Sequence, residues 1–288
     1  MPLPKRILVA ALFLSGAPTL AAAETLVWGQ GKLDGGSIKI SNTEGNSTSI
    51  DDRSSTTYDV IGKIGADWGA FGVQIDLDAS ARDIDPTVYT GYLWGQFASV
   101  RANYDVSSAF ALGGVYGAGR ANSAGEETHE LEFYALEAAY AAGAGVYGLQ
   151  YGAFDGRDSE DSDAFHDGTF VRGSAMFTLG NGGVIEGEVA YFDGVQDSGG
   201  DLNMYATTWS VEYAQQFGSN PVAWNVGLDG GSFSNGAGDG DTGLYDELRV
   251  MAGLTVWFGD TDLASAKRRG FFSQPEFGRI VQAGNNVD

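Results

Sequence analysis

The fold is decided by the stretch LYDELRVMAGLTVWF, residues 244–258. From Leu248 to Phe258 every second residue is apolar, whereas the residues between them are mixed in character. A period of two over this length indicates a β-strand with one apolar face. Strands of soluble sheets usually have about five or six residues, but a tilted strand needs about 9–11 residues to cross a bilayer. The stretch therefore predicts a strand that spans a membrane.

The N-terminus carries the pattern of an export signal. A basic start, MPLPKR, is followed by the apolar run ILVAALFLSG and by Ala21, Ala22 and Ala23. This order is typical of a secretory signal peptide, which we predict to span residues 1–23 and to be cleaved after Ala23. A retained membrane helix is the alternative, although the apolar run is shorter than the roughly 20 residues that a spanning helix needs. No later segment has an apolar run of that length, so no membrane helix is predicted elsewhere.

The composition narrows the class of protein. The chain has 288 residues and a formal net charge of −22, from 38 acidic and 16 basic side chains. A chain this acidic is not expected to bind the phosphates of nucleic acids. It has no cysteine, so an exported form must be held together without disulfides. Glycine is frequent, at 44 residues, yet 12% of the chain is aromatic, which favours a long-stranded barrel with aromatic girdles over a flexible linker.

Eleven further segments show strand-like alternation of varying clarity. The twelve predicted strands are 25–40, 57–67, 71–80, 88–104, 110–118, 130–140, 146–154, 169–179, 184–193, 204–217, 222–233 and 244–258. Short turns alternate with longer loops between them, as in an up-and-down barrel. An even number of strands places both ends of the barrel on the side of the short turns. The first strand is the weakest, because its alternation breaks at Asp34, Gly35 and Gly36, where we expect a bulge or a shorter strand.

The polar faces of these strands carry many charges. A basic side chain that faces lipid at mid-membrane costs roughly 2–4 kcal/mol, and an acidic one somewhat less, so we predict that the charges line the interior. The predicted pore-lining residues are Asp59, Lys63, Asp67, Asp76, Asp78, Arg101, Glu137, Arg172, Glu186, Glu188, Glu212, Asp229, Glu247 and Arg249. Because acids outnumber bases, we expect a hydrated acidic lumen. The alternative is a network in which arginines pair with carboxylates and plug a narrow barrel.

The end of the last strand resembles a known assembly signal. Gly253, Val256 and Phe258 resemble the C-terminal insertion signal of bacterial outer-membrane barrels, in which hydrophobic residues follow a glycine at three and five positions and the last is aromatic. We expect this signal to be read by the barrel-assembly machinery. Residues 25–258 as a whole resemble small Gram-negative porins, particularly the glycine- and aspartate-rich barrels of alphaproteobacterial type.

This resemblance implies an all-β fold, a transmembrane antiparallel up-and-down barrel of about 12 strands at residues 24–258. It implies the outer membrane as location, with periplasmic short turns and longer outer loops. The implied activity is passive diffusion of small hydrophilic solutes or ions, and acidic rings in the lumen would favour cations. The expected partners are outer-membrane lipid, lipopolysaccharide, the assembly machinery and the solutes, with no cofactor and no metal. A plugged structural or adhesive barrel is the alternative.

An outer-membrane hydrolase is a third hypothesis. Such enzymes need a serine or aspartates beside a histidine at the outer rim, and the chain has only His129 and His166. His166 has Ser162, Asp163 and Asp167 nearby in sequence. Neighbours in a loop need not converge, whereas a catalytic triad is defined by its geometry. We therefore predict that the chain is not an enzyme and that both histidines are exposed loop residues.

The predicted loop at residues 155–163 is strongly acidic. Its carboxylates could hold a divalent cation, but they lack the spacing of a calcium hand motif. We interpret the loop as solvated surface charge or a loose divalent bridge to lipopolysaccharide, and we predict no specific metal site.

The tail, residues 259–288, changes in composition. Residues 263–269 predict a short basic helix, and Phe271, Phe272 and Phe277 are candidate apolar anchors. The tail is expected either to lie in the periplasm or to fold back into the lumen. The second position would bring the basic residues Lys267, Arg268 and Arg269 to the inward carboxylates, where they would act as a plug.

Overall fold

The chain forms one closed β-barrel. The computed structural model describes residues 25–44, 53–83, 92–122, 128–156, 165–197, 201–237 and 240–284. Twelve antiparallel strands, β1 to β12, follow one another around the barrel in chain order, and β1 closes it by pairing with β12. The predicted fold and strand number are confirmed. The predicted signal peptide, residues 1–23, lies outside the described residues and stays a prediction.

The strands are between 12 and 19 residues long, in the range of membrane-spanning strands. In order they span Leu26–Glu44, Arg53–Trp68, Phe71–Asp83, Tyr92–Asp105, Phe110–Asn122, Thr128–Ala142, Gly145–Gly156, Phe165–Thr178, Val184–Asp197, Asp201–Gln216, Val222–Ala237 and Gly240–Phe258. Each lies within a few residues of its sequence-based prediction. The reason is that successive side chains of a strand point to opposite faces, so a wall with one apolar and one polar face produces a period of two in the sequence.

Short turns join neighbouring strands at one end of the barrel. In four of them a glycine adopts a left-handed backbone, namely Gly69, Gly143, Gly182 and Gly218. A residue with a Cβ atom would pay roughly 1–2 kcal/mol in this conformation. These glycines therefore explain why the turns are so tight.

The opposite end differs from its prediction. Strand β9 continues to Asp197 and β10 starts at Asp201, so the predicted loop at residues 194–202 is mostly strand. The apolar alternation stops where the bilayer is expected to end, but backbone pairing can continue into water. The predicted bulge at Asp34–Gly36 is also wrong. Those residues pair in regular register with β12, and the register shifts instead between Asn42 and Glu44.

The outer surface of the barrel is an apolar belt. On β12, the alternate residues Leu248, Val250, Leu254, Val256 and Phe258 are all about half exposed. The same holds around the wall, with large exposed apolar side chains that include Leu33, Val60, Ile64, Leu77, Val100, Leu136, Leu149, Val189, Val211 and Leu228. Such a belt matches the hydrocarbon core of a membrane.

An aromatic girdle surrounds the short-turn end of this belt. Phe71 and Tyr104 lie with their ring centroids 4.8 Å apart, and Tyr147 contacts Phe177 edge to face at 5.6 Å. Aromatic girdles mark the membrane interfaces of outer-membrane barrels. The girdle therefore places the short turns at one membrane surface.

Two short helices follow the barrel, α1 at Leu263–Arg269 and α2 at Phe277–Gly284. Helix α1 confirms the predicted basic helix. It begins at the N-cap Asp262, whose carboxylate accepts the backbone N–H of Ser265 at 2.9 Å, and this bond holds the pKa of that carboxyl below its usual value. Within the part of the chain that the structure describes, no helix is long and apolar enough to cross a membrane.

Candidate functional site

The candidate site is the interior of the barrel. All fourteen predicted pore-lining residues alternate with the exposed apolar positions and therefore face inward, and none of them lies on the lipid side. Their part in conduction stays a prediction. What the structure adds is that most of these charges form ion pairs, with one another or with the tail.

Arg101 on β4 is the centre of one wall network. Its guanidinium is buried and pairs with Asp76 at 2.9 Å and with Glu137. Gln150 also donates to Glu137, at 2.5 Å, and Ser99 donates to Asp76 at 3.2 Å. Ion pairs and hydrogen bonds offset the cost of burying a charge, and this network supplies them from four different strands. Arg101 Nε and Glu137 Oε2 are buried without a hydrogen-bond partner among the described residues.

A second network lies across the lumen around Arg249 on β12. Its guanidinium pairs with Asp229 at 2.6 Å and with Asp59. Nearby, Lys32 on β1 pairs with Asp34 at 2.7 Å and also with Glu212. Acidic and basic wall residues thus lie close together on the β12–β1–β2 side of the barrel.

The tail folds back into the lumen through α1. Lys267 is buried there and donates to Glu186 and, at 3.0 Å, to Glu212. At the short-turn rim, Arg269 pairs with Asp67 at 2.6 Å and with Asp260 at 2.7 Å. The tail therefore supplies positive charge to wall carboxylates that the sequence placed inside the barrel.

Between the helices, the extended segment 271–276 is held by its backbone. Lys63 donates to the carbonyl oxygens of Gly270 and, at 3.2 Å, Phe272, and Gln74 donates to the latter at 3.1 Å. Arg172 donates to the Ser273 carbonyl at 2.6 Å. Wall side chains thus satisfy carbonyl groups that would otherwise be buried without partners.

Helix α2 lies farther from the short turns. Its Arg279 pairs with Asp229 at 3.1 Å and with Glu247. Glu247 also accepts from Arg82 of β3 at 2.9 Å. A charged layer therefore crosses the lumen, with groups from both the wall and the tail.

Apolar layers lie on either side of these charges. Near the short turns, Leu263 and Ala266 of α1 pack with Met176, Val184 and Trp257 of the wall. Farther away, α2 packs its apolar face into a larger cluster. Its tail members are Phe277, Ile280 and Val281, and its wall members include Phe97, Leu131, Phe133, Phe154, Phe170, Phe192, Met204 and Phe233.

Two glycines allow α2 to approach the wall. A Cβ atom on Gly95 of β4 would lie 3.1 Å from the Cα of Gly278 in α2. This separation is shorter than an ordinary carbon–carbon contact of about 3.5–4.0 Å. The absence of a side chain at Gly95 therefore lets the helix pack closely against β4 at Gly278.

The tail does not fill the lumen completely. A cavity of about 190 Å³ remains between the tail and the wall. Charged side chains lie around it, among them Lys32, Asp59, Asp78, Arg249 and Glu276. Given about 30 Å³ per water molecule in the liquid, this space has room for a few waters.

Sequence reasoning missed several functional candidates. The expected break at residues 34–36 leaves the faces of the first strand unassigned, so Lys32 and Asp34 are missed. Arg82 lies just beyond the predicted end of the third strand. The available signal for the first two was the alternation of Gln30, Lys32 and Asp34 with Gly31, Leu33 and Gly35. Arg279 had no such signal, since its position in the lumen depends on where the tail docks.

Of the two histidines, the structure describes the side chain of His129. His129 is not an exposed loop residue, since it lies near the start of β6, buried and facing the interior. The side chain of His166, with Ser162, Asp163 and most of the 155–163 loop, lies outside the described residues, and Asp167 is exposed at the surface. Among the described side chains, no group of three histidine or acidic residues could hold a metal ion.

Comparisons with known proteins agree with the architecture. No family model matches the sequence, and no curated protein matches it at a significant level. An outer-membrane channel from Pseudomonas putida F1 is similar with a TM-score of 0.56 and 11% identity, over 84% of this chain and 99% of that chain. A KdgM porin in complex with disordered oligogalacturonate has a TM-score of 0.44 and 12% identity, over 78% and 98%. The monoaromatic hydrocarbon channel CymD has a TM-score of 0.44 and 12% identity, over 80% and 88%.

The first of these likenesses shows the fold. Together with the apolar belt and the aromatic girdle, it identifies this chain as a closed barrel of the bacterial outer-membrane type.

Proposed function

We propose that this chain is a passive diffusion channel for small hydrophilic solutes or ions, and that its own tail closes the lumen in the conformation described here. The observation that carries the proposal is that the segment filling the lumen is separable from the barrel. The interior is occupied by one terminal segment, joined to the barrel only after Phe258 and held by non-covalent contacts. A segment of this kind can leave without any change in the β-sheet.

The wall that such a departure would expose is polar through the middle of the barrel. Among the described inward-facing residues of the strands there are eleven carboxylates and six basic groups, an excess of five negative charges. The carboxylates are Asp34, Asp59, Asp67, Asp76, Asp78, Glu137, Glu186, Glu188, Glu212, Asp229 and Glu247. The bases are Lys32, Lys63, Arg82, Arg101, Arg172 and Arg249. An acidic lumen raises the local concentration of cations, so we propose a cation preference for the open state.

The comparison with the Pseudomonas putida protein supports a channel, since a protein with this fold is described as one. The pairing of wall charges supports a second function, that of a permanently closed structural or adhesive barrel. We favour the channel because the tail contributes its own charges and apolar side chains to the closure, whereas a permanently closed barrel needs no separable segment. Neither hypothesis assigns catalysis to the chain.

Single-channel recording of the refolded mature protein under a salt gradient tests the proposal. We expect rare stepwise openings from the full chain, and we expect the sign of the reversal potential to indicate a preference for cations. Folded protein that stays silent even after its tail has been removed would contradict the channel and favour the structural barrel.

A further inference from the structure

The ring of Phe277 sits in a cage of aromatic side chains inside the barrel. Its centroid lies 4.6 to 6.1 Å from five other ring centroids. We call these five residues the phenylalanine cage: Phe97, Phe133, Phe154, Phe170 and Phe192. They belong to β4, β6, β7, β8 and β9, so a half-circle of the wall surrounds a single phenyl group.

The cage belongs to the wall and does not depend on the tail for its parts. Phe192 stacks on Phe170 at 5.8 Å and contacts Phe154 edge to face at 6.4 Å. All five rings are nearly inaccessible to solvent in the docked state. A hydrophilic pore would not need five inward aromatic side chains at one level, because lumen-facing positions of open barrels are normally polar. The cage therefore points to a ligand that carries an aromatic ring.

The opposite side of α2 shows what else such a ligand would meet. Arg279 pairs with Asp229 and Glu247, on β11 and β12. The wall partners of this group are Arg249, which pairs with Asp229, and Arg82, which pairs with Glu247. Arg249 also pairs with Asp59. Without Arg279, the three carboxylates of Asp59, Asp229 and Glu247 therefore face the two guanidinium groups of Arg82 and Arg249, and this excess of negative charge favours a cation at this level of the lumen.

We propose that this level of the lumen is a binding site for small aromatic cations, such as arylalkylamines, and that Phe277 and Arg279 occupy it as a tethered mimic of the ligand. A solute of this class would then compete with the tail for the same wall residues. Its binding would favour the undocked tail, so the solute would promote opening of the channel. Only this last consequence rests on the proposed channel function, since binding itself requires no conduction.

Competition with a tethered group sets the expected affinities. A tethered group acts at an effective concentration of about millimolar for short flexible linkers, so the full wild-type chain should bind an external ligand weakly. Phe277→Ala removes the competing ring and leaves the cage intact. An apolar cavity of about 150 Å³ lined by aliphatic and aromatic side chains is known to bind benzene, and the vacated cage offers the same kind of surface.

Titration calorimetry of the folded full chain in detergent micelles tests the proposal, with phenethylamine as the probe. We expect Phe277→Ala to bind phenethylamine at least tenfold more tightly than the wild-type chain does. In the variant that combines Phe277→Ala with Arg279→Gln, three wall carboxylates face two guanidinium groups. Phenylacetate, which has a similar ring and the opposite charge, should bind to this variant at least tenfold more weakly than phenethylamine does. The lipid-facing variant Phe177→Ala controls for partition into micelles and should behave as the wild type does.

The double variant Phe277→Ala with Phe170→Ala tests whether the wall forms the site, and it should lose the gain in affinity. Circular dichroism and heat-modifiable gel mobility verify that each variant is folded. Folded Phe277→Ala with no more affinity for phenethylamine than Phe177→Ala would overturn the proposal. Equal binding of phenethylamine and phenylacetate to the variant that also carries Arg279→Gln would overturn it as well. A silent channel that still binds phenethylamine through the cage would contradict the proposed function while leaving this inference intact.

Discussion

Replacing Lys267 by methionine should release the tail. The ammonium group of this residue is buried and contacts Glu186 and Glu212. Methionine keeps the apolar length of the side chain and removes its charge. Glu212 retains Lys32 as a partner, but Glu186 loses an ion pair in a confined space. When the tail leaves, water reaches Glu186, so the substitution favours the undocked state.

The size of this effect follows from the burial of the pair. Removing one partner of a buried ion pair costs about 3–5 kcal/mol. We expect the lower end here, because the side chain of Glu186 is 28% exposed and keeps some hydration. A change of about 3 kcal/mol shifts the ratio of undocked to docked tails by roughly 150-fold, since every 1.4 kcal/mol is a factor of about ten. The open probability of the channel should rise by a similar factor until it saturates.

The assay combines conductance with proteolysis. Planar-bilayer recordings measure open probability, and limited trypsin digestion of the folded protein reports whether Arg279, which is buried when the tail is docked, becomes accessible. The matched control is Arg268→Met, which removes the same charge from the adjacent residue. Arg268 is exposed and makes only a 3.5 Å contact with the carbonyl of Gly143, so this variant should behave as the wild type. Equal conductance and equal digestion of the two variants would refute the reasoning.

Three further predictions concern the wall. Gly95→Leu should push α2 away from β4, because even a Cβ atom there is too close to the helix, and bilayer recordings should show a higher open probability with no change in charge. The double change Asp76→Lys with Asp78→Lys, made in a chain without its tail, should move the reversal potential toward anions, and an unchanged potential would show that these side chains do not line the path. Phe258→Ala should reduce the fraction of folded barrel on heat-modifiable gels, because the ring of Phe258 covers Gly29 where β1 and β12 close the barrel, and normal folding would remove Phe258 from the assembly signal.

The barrel was predictable because its physics is local. A strand between lipid and lumen alternates in sequence, so stretches such as residues 71–80 and 244–258 predicted both the strands and the direction of their side chains. The inward position of Asp76 and Arg101 followed from the cost of placing charge in lipid. Strand ends were less predictable, as at Asp197 and Asp201, since pairing beyond the membrane leaves no apolar pattern.

The position of the tail could not be read from the sequence alone. Helix α1 is a local event, with Asp262 as its N-cap, but its docking depends on Lys267 meeting carboxylates more than fifty residues earlier in the chain. The spacing of these residues in the sequence does not predict that they come into contact. The phenylalanine cage was missed for a related reason. Its rings lie at inward-facing positions of their strands. Polar side chains are expected at such positions, so the alternation does not predict aromatic residues there.

The most direct test of the account is the conductance of the full chain compared with a chain that ends after Gly259, both refolded and shown to be closed barrels. If the tail is the closure, the shortened chain should conduct with long open times and a reversal potential of the sign for cations, while the full chain opens rarely. Equal conductance of the two chains would contradict the claim that the tail closes this lumen.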